Sequence, residues 1–210
     1  GARALIDGGL QADYCLVCEP GYDRPCLGAQ GKYLVRVDVT GVASHAAWPE
    51  RGVNAAEEAS KFVARLHEVA MPTHPLIRAS QTVLSFRCGS EKYVITVPDK
   101  ATVQINRHTV PGETQESVVA AYQALADSLN SPATFDFGFD PPTYPSWQTD
   151  INHPYVAAFA GAYKRETELE PPYAYNGYGD MNLFSTDAGI PTIMFGPRGG
   201  EFHAASEWLD

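Results

Sequence analysis

The sequence predicts an α/β protein in which a ferredoxin-like β-α-β-β-α-β unit interrupts a second α/β domain. Three observations carry this expectation. Residues 29–140 hold four segments of alternating apolar and polar side chains with two amphipathic helical stretches between them, in that order. The flanking residues, 1–28 and 141–210, hold continuous apolar strand runs beside helices, the pattern of a buried sheet. The length, 210 residues, accommodates one large or two small domains.

The elements follow in order. "GARALIDGGLQAD" reads as a helix entered in mid-element and without a methionine, so an N-terminal portion is expected to be missing. After the Gly-Gly break, "YCLVC" is an apolar run between Asp13 and Pro20, expected to be a strand buried on both faces. In "KYLVRVDVT", Tyr33, Val35, Val37 and Val39 alternate with polar residues, which predicts a half-buried strand. Ala55, Ala59, Phe62, Val63 and Leu66 then recur at helical spacing. "TVLSFRC" and "ATVQINRHT" are two further alternating strands. Thr114 is placed to cap a helix with Val118, Val119, Tyr122, Leu125 and Leu129 as its stripe. "TFDFGF" puts Phe135, Phe137 and Phe139 on one side of a fourth strand. In the last part, Pro154 opens a helix at a position where its missing N–H costs nothing. A helix stopped by Gly189 and Pro191 then leads to a buried strand, Thr192–Phe195.

Composition excludes several classes of partner. The net charge is −10 without a basic cluster, which argues against nucleic acid. The longest apolar run, Tyr155–Tyr163, is far short of the ~20 residues that span a bilayer, so no membrane association is expected. Cys15 and Cys18 could suggest a metal knuckle, but in a strand positions i and i+3 face opposite ways and cannot grip one ion. Four free thiols fit a reducing, cytoplasmic setting.

The common catalytic motifs are not found: no G-x-S-x-G elbow, no P-loop, no H-E-x-x-H. "GYGDMN" lacks the third glycine of a dinucleotide loop. What remains lies at strand ends. Glu19 follows the first apolar strand directly, and His203 lies a Gly-rich turn beyond the last. The carboxyl edge of an open α/β sheet is where ligands bind, and a carboxylate with an imidazole suits a borderline ion such as zinc. A solvated strand-end Glu and a surface His are the bland alternative.

Three stretches carry a family resemblance: "SHAAWPERGVNAAEEASKFVARL", "NRHTVPGET" and "GDMNLFSTDAGIPTIMFGPRGGEFHAASEWL". They resemble, in the expected order, signatures of the dinuclear zinc metallopeptidase and amidohydrolase family of acetylornithine deacetylase, succinyl-diaminopimelate desuccinylase, aminoacylase and carboxypeptidase G. The resemblance implies a partial catalytic domain (1–28 and 141–210) with an inserted lid and dimerisation domain (29–140). It implies zinc, two ions per complete site, with cobalt or manganese as alternatives. It implies a homodimer acting on an N-acyl amino acid or small peptide. Glu19 and His203 are then metal ligands. The family's H-x-D pair, bridging Asp and Glu-Glu pair are not found, since Glu57–Glu58 falls inside the first lid helix. Two of five expected ligands are present, and the chain is expected to be the C-terminal part of such an enzyme, inactive alone. The alternative is a non-catalytic dimerising module.

By the same resemblance, His45 reaches across the dimer to hold the oxyanion of the tetrahedral intermediate, whereas its residues alone allow a locally bonded turn histidine. Asn106, Arg107, His108 and Gly179 are the substrate-binding candidates. The family's Asp/Asn-x-Arg pattern serves the substrate carboxylate, and this chain holds His108 where the arginine would stand. Strand parity puts Asn106 and His108 on one face and Arg107 on the other, so Asn106 with His108 is the expected contact pair. His67, His74 and His153 are expected to be structural.

Overall fold

A computed structural model describes residues 1–19, 23–89, 94–202 and 204–210. The chain opens with α1 (Ala2–Asp7), β1 (Cys15–Val17) and β2 (Gly28–Ala29), and then runs into β3 (Gly31–Thr40) and α2 (Ala55–Arg65). β4 (Ser80–Cys88), β5 (Lys100–Thr109), α3 (Gln115–Ser128) and β6 (Thr134–Tyr144) follow. The last part holds β7 (Trp147–Gln148), α4 (Pro154–Thr167), α5 (Asp180–Thr186) and β8 (Thr192–Met194).

The four long strands form one antiparallel sheet in the order β4-β5-β3-β6. With α2 and α3 against one face, this is the ferredoxin-like arrangement that the element order predicts. The pattern of β3 decides which face is covered: Tyr33, Val35, Val37 and Val39 are buried and their alternates are not. Asn54 starts α2 by accepting from the N–H groups of Ala56 and Glu57 at 3.0 and 3.4 Å. Thr114 and Ser117 cap α3 reciprocally at 3.2 and 2.9 Å. Phe62 of α2, fully buried, meets Tyr122 of α3 and Phe135 and Phe137 of β6. Its truncation to alanine would cost about 3–5 kcal/mol.

Elsewhere β1 and β8 pair in parallel, Cys15 opposite Thr192, and β2 pairs antiparallel with β7. Thr149 locks β8 in place: its hydroxyl donates to Thr192 O at 2.7 Å and accepts from Thr192 N–H at 3.2 Å. His153 caps α4, its Nδ1 accepting from Tyr155 N–H at 3.2 Å, with Pro154 in the first turn. Among the described residues no helix is long and apolar enough to cross a membrane.

β8 is buried throughout, as its apolar run predicts. β1 departs from expectation: Leu16 is 47% exposed and Cys18 is exposed. Among the described residues β8 is the only strand beside β1, so an apolar run expected to be covered on both faces is covered on one. The two crossings between the four-stranded sheet and the rest, Gln30–Gly31 and Tyr144–Ser146, run side by side. A Cβ on Gly31 would collide with Ser146 N, Tyr144 O and Thr109 Oγ1, so only glycine fits there.

Candidate functional site

Glu19 emerges at the carboxyl end of β1, exposed, two residues after Val17 O accepts from Phe195 N–H at 3.0 Å. The backbone of Glu19 lies so close to Gly196 that a Cβ on that glycine would strike its carbonyl. The turns after β1 and β8 therefore meet at one sheet edge, where ligands of open α/β sheets bind. His203, the expected second ligand, lies outside the described residues. Catalytic zinc takes three protein ligands and an open position. Among the described residues no group of three His, Cys, Asp or Glu side chains could hold a metal ion, so they do not by themselves fit such a site.

His45 stands in the loop between β3 and α2, bridged to Thr96 across the sheet end and exposed. Its Nδ1 accepts from Ala47 N–H at 3.0 Å, so the proton of the neutral ring sits on Nε2. Trp48 packs against the imidazole, ring centroids 5.1 Å apart, and the Arg51 guanidinium lies 5.1 Å from the indole centroid. The loop thus holds an exposed imidazole whose other ring nitrogen is left to donate.

Asn106 and His108 lie on the sheet face away from the helices. Asn106 Nδ2 is 2.9 Å from His108 Nε2, and His108 Nδ1 is 3.2 Å from Gly31 O. A carbonyl only accepts, so Nδ1 carries the proton and Nε2 accepts from Asn106. Burial holds the His108 pKa below its ordinary value; the Gly31 hydrogen bond opposes this and Lys32 adds to it. Lys32 pairs with His108 in the β3–β5 register. Its Nζ lies 5.5 Å from the centroid of Tyr178 and has no carboxylate partner among the described residues, unlike Arg36 further along β3, which is tied to Asp38 and Asp140. Tyr178 roofs the group, 5.6 Å from His108 and 5.7 Å from Tyr144, and brings Gly179 beside it. Lys32, Tyr144 and Tyr178 escape a reading of the sequence, because the register that sets Lys32 opposite His108 is not written in strand parity.

Arg107 is not brought together with these residues. It is 3% exposed on the helix-covered face and paired with Glu113, whose other oxygen accepts from Val110 N–H at 2.8 Å. His67 bonds to Ala64 O on α2's last turn, and His74 accepts from Ile77 N–H at 3.1 Å within its own loop.

A family model described as the peptidase dimerisation domain matches residues 27–134. Succinyl-diaminopimelate desuccinylase of Paracoccus denitrificans is 25% identical over 218 residues, covering 99% of this chain and 56% of that protein. The crystal structure of aminopeptidase PepT from Bacillus cereus superposes with a TM-score of 0.79 at 21% identity, covering 100% of this chain and 55% of that one. The YXEP protein of Bacillus subtilis, a dinuclear metal binding peptidase, superposes at 0.67 and 18%, covering 100% and 56%. These two similarities establish the fold. The chain spans little more than half the length of the curated relatives it matches.

Proposed function

The chain belongs to the M20 peptidases, whose dimerisation domain it carries, and from that premise we propose that it is part of a metal-dependent hydrolase cleaving the amide bond of N-acyl amino acids or small peptides. The observation that carries this reading is the imidazole of His45, exposed, with Nδ1 engaged by Ala47 and its proton on Nε2. A preset N–H donor of this kind suits the oxyanion that develops when an amide carbonyl is attacked. In a two-fold dimer built through residues 29–140, His45 would serve the partner's site. Asn106 and His108 would hold the substrate carboxylate beside Gly179, with Lys32 supplying the permanent charge that a neutral imidazole lacks. Arg107 would act as a structural cation. Glu19 and His203 would be two ligands of the metal, which we take to be zinc with cobalt or manganese as alternatives.

Two ligands of an expected five make the 210 residues inactive by themselves on this reading. They should give no turnover of N-acetyl or N-succinyl amino acids or of dipeptides with any of the three metals. A polypeptide joining them to a segment that carries the H-x-D, Asp and Glu-Glu ligands should hydrolyse at least one of these substrates. Failure of that polypeptide would favour the alternative, a non-catalytic dimerising module.

A further inference from the structure

Asn182 lies in the first turn of α5 and is fully buried. Its carboxamide makes three hydrogen bonds to three separate segments. Nδ2 donates to Gln30 O at 3.1 Å and to Pro145 O at 2.7 Å, and Oδ1 accepts from Gly179 N–H at 2.9 Å. Gln30 precedes β3 and Pro145 follows β6, so one side chain bridges the entrance and the exit of the four-stranded sheet. Its third bond fixes the backbone next to Tyr178, the ring that covers His108. The atom assignment follows from the partners, because two carbonyls need a donor and an N–H needs an acceptor. Without Asn182 these two partly buried carbonyls, which lie outside the strand ladders, would lose their donor.

We infer that Asn182 is a positioning residue: it latches the Gly177–Gly179 loop to both crossings and thereby seats Tyr178 on His108. Its effect on substrate rests on the preceding reading of Asn106 and His108 as carboxylate contacts. A buried helix-start asparagine with no such role would stabilise the fold and leave His108 indifferent, and this separates the two accounts.

The test follows His108 by NMR in histidine-labelled protein. In Asn182→Ala the Tyr178 cover loosens, so the His108 pKa should rise toward its ordinary value and its ring resonances should move. A variant that melts at a lower temperature with His108 titrating as in the wild type would overturn the latch. Should that variant not fold, the unmutated protein still decides: the Asn182 carboxamide protons should exchange far more slowly than those of exposed Asn130. Equal exchange rates would overturn the inference. With an active polypeptide, Asn182→Ala should raise KM and hold kcat. A shifted His108 with unchanged KM would leave the latch standing and count against the carboxylate assignment.

Discussion

Asn106 and His108 stand side by side on the open face of the sheet, Nδ2 to Nε2 at 2.9 Å, while Arg107 between them faces the helices and pairs with Glu113. This relationship separates two kinds of damage. Arg107→Ala leaves Glu113 buried and uncompensated, so it should lower stability by about 3–5 kcal/mol in urea titrations. His108→Ala should change stability far less and, in the active polypeptide that carries the remaining ligands, raise KM for carboxylate-bearing substrates by about tenfold, equivalent to ~1.4 kcal/mol. Equal stability losses, or a larger KM effect from Arg107→Ala measured on folded protein, would contradict the separation of faces.

The depressed His108 pKa makes stability depend on pH in a defined direction. Below about 6.5, its ordinary value, the unfolded chain binds a proton that the folded chain resists. Stability should therefore fall as pH drops from 6.5 and level off once the folded pKa is passed, with no contribution above 6.5. Lys32, opposite on β3, is the charged group that acts on His108, and it works in the same direction. Urea midpoints of wild type and His108→Gln should diverge below pH 6.5 and run parallel above it. Identical slopes would sink the assignment.

How far these features could be read beforehand depends on which contacts decide them. The split of Asn106 and His108 from Arg107 follows from strand parity, and parity survived because the helices cover one face evenly. The cores of β3 and α2 were legible for the same reason, since Val35, Val37, Ala59 and Phe62 recur at the periods their elements impose. The exposure of Leu16 was not legible, because an apolar run records affinity for cover and not the cover itself. Nor was Tyr178 over His108, a contact between segments seventy residues apart that hangs on the Asn182 bonds.

The edge strand β4 bears on assembly. Its register shifts between Val83 and Ser85, and Leu84, at that bulge, is 57% exposed. Phe86 is exposed nearby, and an open edge offers unpaired N–H and C=O groups to a second strand. The protein is expected to sediment as a dimer at micromolar concentration. Leu84→Glu should weaken that dimer by about 2–4 kcal/mol, as for a residue central to an interface. A monomer in the wild type, or a dimer unmoved by Leu84→Glu, would exclude β4 from the contact.

The role of His45 in trans can be decided by complementation. Its exposed ring contacts little beyond Ala47 N–H and Trp48, so His45→Ala should leave the melting temperature nearly unchanged. In the active polypeptide that carries the remaining ligands, loss of the oxyanion donor proposed at His45 should lower kcat by about 10²–10³ with KM held. On the proposal that Glu19 is a metal ligand, Glu19→Ala in the same polypeptide should also abolish activity. In a dimer mixed from His45→Ala and Glu19→Ala chains, trans action gives one site with Glu19 from the first chain and His45 from the second, both intact. The other site lacks both. If His45 acted within its own chain, each site would carry one lesion and neither would work. Co-expression of the two variants should therefore recover about a quarter of wild-type activity, since half the dimers are mixed and each has one working site. Recovery is the expected result; activity no higher than that of the separate variants would place His45 outside the partner's site.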